Sequence, residues 1–337
     1  MRRCTLATHH EDTLPIDISA ATRIAEADTD GELTRVREHL LSLDADGKKF
    51  AEVLRHTIDQ ILDGENTGRY DWRQLHKTEK THAGTLVEIN LQRRFDFNGG
   101  RDMDYEIAGV DVDCKFSQDL GGWMIPPEAM GEICLVVWAD DQASKWSAGL
   151  LRADPEKLTR NGLVTRKGNR DHKYRLNKSN LYLVNWLWQM QPLKKNLLLH
   201  LAPETRDALY APKSGQGRVN ELFRRVQGCR IDRNVVRTLA QQHDYMARVR
   251  DDKQGTRARP ALRKDGYIIP GDSKSHQAVA RALGGPVPEK GEFVSFRVAK
   301  AQPHHGDRPS VELDNSTWVV VAPNEEADQP APRLPSR

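Results

Sequence analysis

Seven consecutive apolar residues, Ile133 to Ala139, constrain the fold more than any other stretch of the chain. The run falls far short of the ~20 residues that a membrane span needs. It reads as a strand buried on both faces, and such a strand needs a covering layer on each side. Helical periodicity upstream supplies candidates for those layers. Leu33, Val36, Leu40 and Leu41 form one stripe, and Phe50, Val53, Leu54, Ile58, Ile61 and Leu62 form another, with Gly64 expected as its C-cap. A third helix is expected from about His82 to Arg94, with Leu86, Ile89 and Arg93 at spacings of three and four. The period then changes to two: Tyr105-Glu106-Ile107, a turn at Ala108-Gly109, and clean alternation from Val110 to Phe116. Trp146 to Leu151 reads as a further strand. The fold class is therefore α/β, with a mixed sheet flanked by helices in the N-terminal half.

At about 150 residues per domain, 337 residues suggest two domains. Residues 1–30 read as a polar tail, 31–183 as the first domain, 184–191 as a linker, 192–325 as the second domain and 326–337 as a tail. The stretch 152–180 is basic and reads as a linker or a DNA-facing loop. Helices are expected at 204–211, 218–227 and 232–250. Strands are expected at Gly266 to Ile269, Glu292 to Lys300, Ser310 to Leu313 and Thr317 to Val321, with a short helix near Ser275 to Leu283. Asp314-Asn315 is a hairpin turn signal.

The formal net charge of +3 hides a partition. Residues 1–150 carry a net −11, and residues 151–264 a net +16. An acidic half beside a basic middle suits a protein that gathers carboxylates at one place and meets a polyanion at another. Mean hydropathy is −0.69, and the first ten residues lack the apolar core of a secretory signal. Four cysteines without CxxC spacing argue against a zinc site or disulfide framework and for a reducing, cytoplasmic setting. His76, His82, His200 and His243 are isolated and read as structural or DNA-contacting rather than as zinc ligands.

The segment with most chemical content is Asp104 to Phe116. Alternation puts Val110, Val112, Cys114 and Phe116 on one face of a strand, and Asp111, Asp113 and Lys115 on the other. Asp104 returns to the same neighbourhood through the hairpin. Carboxylate oxygens in this arrangement suit Mg²⁺, and a neighbouring lysine can orient a water or stabilise developing charge. Glu88 sits among Leu86, Val87, Ile89 and Leu91, where a carboxylate needs a partner.

In the basic half, residues 218–226 and 232–240 frame a short Gly-bearing turn, a helix-turn-helix candidate. Asp232 would cap the second helix, and Val235, Val236 and Leu239 would be its buried stripe. Arg233, Asn234 and Arg237 would face base edges, while Arg218, Arg224 and Arg230 sit at phosphates; Arg225 joins them as a DNA-binding candidate. The strands that follow suggest a winged variant. The residues alone leave three readings open: a Mg²⁺-dependent sequence-specific endonuclease, a helix-turn-helix regulator, and a repair or junction nuclease with the same core.

A family resemblance adds to this. Leu75 to His82, Gly84 to Leu91, Asp104 to Ser117, Asn196 to His200, Arg218 to Val226 and Ala240-Gln241-Gln242 resemble the NaeI family of type IIE restriction endonucleases, in order and with similar spacing. The similarity runs from about residue 33 to 322. It implies a PD-(D/E)xK nuclease core followed by a helix-turn-helix-like effector domain. It assigns catalysis to Glu88, Asp104, Asp113 and Lys115, and metal binding to the three carboxylates. It further implies Mg²⁺, a homodimer, and two double-stranded DNA sites per protomer. Cleavage would fall at GCCGGC, leaving 5′-phosphate and 3′-hydroxyl ends, with a cognate methyltransferase in the same system. The chain departs from the family in its longer N-terminal tail and at 157–192.

Overall fold

The computed structural model describes residues 30–160 and 172–336. The expected tail 1–30, apart from Asp30, lies outside the described residues, as do residues 161–171 of the basic stretch at 152–180. The chain divides into two compact units: 30–61, 72–160 and 172–195 make the first, and 62–71 with 196–336 the second.

The first unit begins with helices α1 (Gly31–Leu43) and α2 (Lys48–Leu62). Asp30 caps α1 by accepting from the Leu33 amide, and its carboxylate also pairs with Arg152 at 2.8 Å. Helix α2 buries Phe50, Val53, Leu54 and Ile58, in line with the apolar spacing. Its Arg55 is buried against Asp141 and Asp59, which compensate the charge that burial would otherwise penalise. The short helix α3 (Gly64–Thr67) follows in the second unit. Gly64 is therefore not the C-cap of α2: Asp63 takes the left-handed conformation (φ 48°) and Gly64 opens the next turn. Helix α4 (Lys77–Phe95) starts five residues earlier than the apolar period suggests. The extension is polar and begins where the His76 amide donates to Glu79, so apolar spacing could not reveal it.

Strands β1 (Tyr105–Ile107), β2 (Val110–Ser117), β3 (Trp123–Ile125), β4 (Ile133–Asp140), β5 (Lys145–Arg152), β6 (Thr159–Arg160), β7 (Tyr174–Leu176) and β8 (Asn185–Pro192) follow. The main sheet runs β1-β2-β4-β5-β8, with β2 parallel to β4 and the other pairs antiparallel. The apolar run at Ile133 is the central strand, and residues 133–139 are all buried. Ala108 and Gly109, both at positive φ, close the β1–β2 hairpin. The expected linker at 184–191 is instead β8, the outer strand paired with β5. Its Trp188 is buried against Phe50 and Trp146, which gives the stretch a core role. Strands β3, β6 and β7 form a small separate sheet.

The second unit contains α5 (Leu197–His200), α6 (Pro203–Tyr210), α7 (Gly215–Arg225), β9 (Ile231–Asp232), α8 (Arg233–Ala240), α9 (Ala258–Arg263), β10 (Tyr267–Ile268), α10 (Lys274–Ala282), β11 (Glu292–Phe293), β12 (Phe296–Lys300), β13 (Ser310–Leu313) and β14 (Ser316–Val320). Val219, Leu222 and Phe223 of α7 pack in one core with Val235, Val236 and Leu239 of α8. Asp232 caps α8 through the Asn234 amide. The expected helix 232–250 stops at Ala240, where Gln241 turns left-handed (φ 49°). A four-stranded sheet, β10-β12-β14-β13, covers a second core, and Asp314-Asn315 make its hairpin turn at positive φ.

Two sequence-based boundaries change in this unit. Residues 62–71, assigned by position to the first domain, pack here: the Tyr210 hydroxyl donates to Gly68 O and the Asn196 side chain to Tyr70 O. The expected tail 326–337 is anchored at Ala331, which is buried and whose amide donates to Arg263 O, although most of its other described residues are exposed.

Candidate active site

The polar face of β2 meets α4 and the start of β1. Asp113 is almost fully buried in the middle of the main sheet. The Lys115 ammonium lies 2.6 Å from Asp113 Oδ1 and 3.8 Å from Asp104 Oδ2, and donates to Cys114 O at 3.1 Å. Asp104 Oδ2 also accepts from the Cys114 amide at 2.7 Å, which fixes the residue just before β1 against β2. The hairpin thus returns Asp104 to the strand face, as the turn at Ala108-Gly109 requires. Glu88 stands on α4, and its carbonyl accepts from the Tyr105 hydroxyl at 2.8 Å. Asn90 of the same helix donates to Thr57 and Gln60 of α2, holding α4 in register.

Asp111, expected on this face, serves another purpose. Its carboxylate accepts from the amides of Arg101 and Asp102 at 3.0 Å each and orders the loop before β1. The polar face therefore divides, and only Asp113 and Lys115 of the strand join Asp104 and Glu88.

The electrostatics record an excess of acid. Burial pushes the Glu88 carboxyl up, and the Asp104 charge adds to it. Burial also raises Asp113, against the opposing pull of Lys115. The Lys115 ammonium is held above its ordinary value because Asp113 and Asp104 outweigh its own desolvation. Three carboxylates share one ammonium, so the site has room for further positive charge. The donors are hard carboxylate oxygens, the kind that Mg²⁺ prefers, which makes Glu88, Asp104 and Asp113 the candidate ligands.

The candidate DNA-contact residues are largely committed within the chain. Arg218 donates to Leu239 O at 2.6 Å and to Gln241 Oε1 at 2.9 Å, capping the C-terminal end of α8. Arg224 pairs with Glu221 and Asp265, Arg225 with Glu221, and Arg230 with Glu289 and Glu292. Arg237 pairs through Nε with Glu65, a buried acid of α3 that sequence pattern did not single out. Arg233 is exposed and Asn234 half-buried on α8, and neither side chain has a polar partner among the described residues. His243, read as structural or DNA-contacting, pairs with Glu65 too. His304, His305 and Glu325 form a separate cluster with metal-ligand spacing. Arg308 already spans both Glu325 oxygens at 2.5 and 2.7 Å, so that carboxylate is occupied by a cation.

An acid-rich strand with one lysine, set beside a helix acid on a mixed sheet, suits metal-assisted phosphodiester hydrolysis. The family model for "Restriction endonuclease NaeI" matches residues 34–329. The chain belongs to this restriction endonuclease family and is a type II site-specific deoxyribonuclease, with double-stranded DNA as its partner. It is 49% identical over 307 residues to the "Type II restriction enzyme NaeI" of Lentzea aerocolonigenes, a match covering 89% of this chain and 93% of that relative. Among the described residues no helix is long and apolar enough to cross a membrane.

Proposed function

We propose that the protein is a type IIE restriction endonuclease that hydrolyses DNA in a Mg²⁺-dependent reaction at the palindrome GCCGGC, leaving 5′-phosphate and 3′-hydroxyl ends. The observation that carries the chemistry is the Lys115 ammonium 2.6 Å from Asp113 and 3.8 Å from Asp104, with Glu88 raised beside them. Glu88, Asp104 and Asp113 would hold the ion, which would supply Lewis-acid activation of water and neutralise charge on the scissile phosphate. Lys115 orients the attacking water and stabilises the negative charge that builds on the phosphoryl oxygens. The Cys114 amide keeps Asp104 turned toward the strand, and the Tyr105 hydroxyl fixes the turn of α4 that presents Glu88. The buried position of Asp113 excludes bulk water from one side of the carboxylate cluster.

The second unit acts as a winged helix-turn-helix-like domain that binds a further copy of the target. Helices α7 and α8 are the pair, Arg233, Asn234 and Arg237 lie toward the DNA, and the β12–β14 region supplies the wing. The protein works as a homodimer, as a palindromic site requires for cutting both strands symmetrically. A methyltransferase of matching specificity protects the host DNA. Residues 1–150 carry a net −11, so capture of DNA falls to the basic half.

The test is incubation of the purified protein with a one-site plasmid and MgCl₂, followed by sequencing of the cut ends. Slow cutting that accelerates when a short duplex of the same sequence is added supports the reading. A flat or falling rate against duplex concentration leaves a simple one-site nuclease. Cutting without sequence preference points to a repair-type nuclease.

A further inference from the structure

Glu65 is a charged residue in a position where an unpaired charge would be costly: its side chain is only 7% exposed. It lies on α3, in the segment 62–71 that the second unit takes from the N-terminal part of the chain. The segment is fixed against α8 at close range. A Cβ on Gly64 would come within 2.2 Å of Thr238 Oγ1, so only glycine permits the approach. Gly68, at φ 70°, lies against the Gln241 side chain, and its carbonyl accepts from Tyr210.

From this platform Glu65 Oε2 accepts from Arg237 Nε, while its other oxygen faces His243 Nδ1. Arg237 is 46% exposed. Its guanidinium thus meets the acid through Nε, and among the described residues no acceptor engages Nη1 or Nη2. A guanidinium held this way presents two parallel N–H donors outward in a fixed plane, the fork that matches guanine O6 and N7 in a major groove. Arg237 has no such anchor on α8 itself: Arg233 and Asn234, one turn before it, make no hydrogen bond to it among the described residues.

We propose that Glu65 is a specificity-determining positioning residue: it orients Arg237 as a two-pronged reader of one guanine in the second DNA copy. This rests on the reading that the second unit binds that copy through α8. The alternative chemistry for the same fork is the two oxygens of a backbone phosphate. Base reading and phosphate contact respond differently to sequence, because only the first discriminates between base pairs. The Arg237 hydrogen bond also holds the Glu65 carboxyl below the usual carboxylate range, so the acid stays charged at neutral pH.

The experiment uses the full chain and a one-site plasmid, with activation driven by short duplexes of the mapped cleavage sequence. A second set of duplexes carries each G·C pair changed in turn to A·T. The quantity read is the duplex concentration giving half-maximal activation, and its ratio between changed and unchanged duplexes. For Glu65→Gln the unchanged duplex should need at least roughly fivefold more, the lower end for one lost bidentate contact. A duplex changed at the guanine in question should be nearly unaffected, so the ratio collapses at that one position. Arg237→Lys keeps the charge but not the fork, and should collapse the same ratio. Glu65→Gln combined with Arg237→Lys should do no more than either alone.

Parallel tightening of all duplexes by Glu65→Gln would overturn the proposal and make Glu65 a competitor for phosphate. Parallel weakening, with a lowered melting temperature, would also overturn it and leave a structural acid. Uniform weakening by Arg237→Lys with a changed salt slope would assign the fork to phosphate. If the wild-type enzyme shows no activation, or Arg237→Lys changes nothing, the reading of α8 as the second DNA site fails, and the proposal fails with it. A normal Arg237→Lys effect beside an inert Glu65→Gln would remove Glu65 alone.

Discussion

The two charged clusters of this molecule are built on opposite plans. At β2 three carboxylates share a single ammonium, and burial and mutual repulsion raise Glu88 and Asp113. At α8 one buried acid meets the Arg237 guanidinium and the His243 ring, and Arg237 holds Glu65 below its usual range. The first cluster is short of positive charge, and the second is satisfied while leaving donors pointing outward. A net charge counted along the sequence does not distinguish these cases. The basic segment gives most of its candidate arginines to acids or carbonyls of its own chain. The difference teaches that a site is defined by unbalanced charge in place, whereas a charge total describes only the long-range field.

The comparison breaks most visibly at Lys115 and Asp113. Lys115→Ala and Asp113→Ala should each reduce cleavage by at least ~10²-fold, the scale for one lost electrostatic stabiliser. Specific DNA binding in a gel-shift assay should persist, since neither residue is assigned a base contact. Full activity in either variant would remove the assignment.

The other cluster is probed by Arg233→Ala combined with Arg237→Ala. Stimulation of one-site cleavage by added duplex should disappear, a loss of roughly 5- to 150-fold for a typical coupling of 1–3 kcal/mol. Initial rates against duplex concentration report it directly. An unchanged activation curve would place the second DNA elsewhere.

A smaller effect tests the platform under α8. Gly64→Ala should destabilise the second unit by about 1–3 kcal/mol through overpacking against Thr238. Thermal melting measures this, and adding Thr238→Ala should restore part of the loss. No loss in the single variant would mean the segment yields.

The smallest effects sharpen the contrast through pH, in metal-free buffer. Asp113 has a raised folded pKa, so its ionised form weighs against folding, and the penalty grows as pH rises through that value. Asp113→Asn should therefore raise the melting temperature, more at neutral than at acid pH. Glu65 has a lowered folded pKa, so its contribution is present above the ordinary carboxylate value and is lost as pH falls through the folded one. Glu65→Gln should lower the melting temperature at neutral pH, and the difference should vanish in acid. Melts of both variants across pH would show the two slopes with opposite sign, and equal slopes would refute the contrast.

Local pattern determined a good part of this protein. The apolar run at Ile133 gave the central strand, period two gave β2, and the paired turn residues gave both hairpins. These are nearest-neighbour properties, set by side-chain alternation and backbone sterics, so they survive without a partner in view. The acids and lysine of the candidate site were legible because Asp113 and Lys115 share a strand and Asp104 lies one hairpin away. What only the tertiary structure decided depends on contacts distant in sequence. Residues 184–191 read as a linker although five of the eight are apolar; Trp188 finds Phe50 and Trp146, and the stretch becomes an outer strand. Asp111 does not join the acid cluster because two loop amides ten and nine residues upstream claim its carboxylate. Glu65 carries no local signal at all. Its meaning comes from Arg237, 172 residues away, because burying a carboxylate requires a cation to meet it, and only folding brings that cation there.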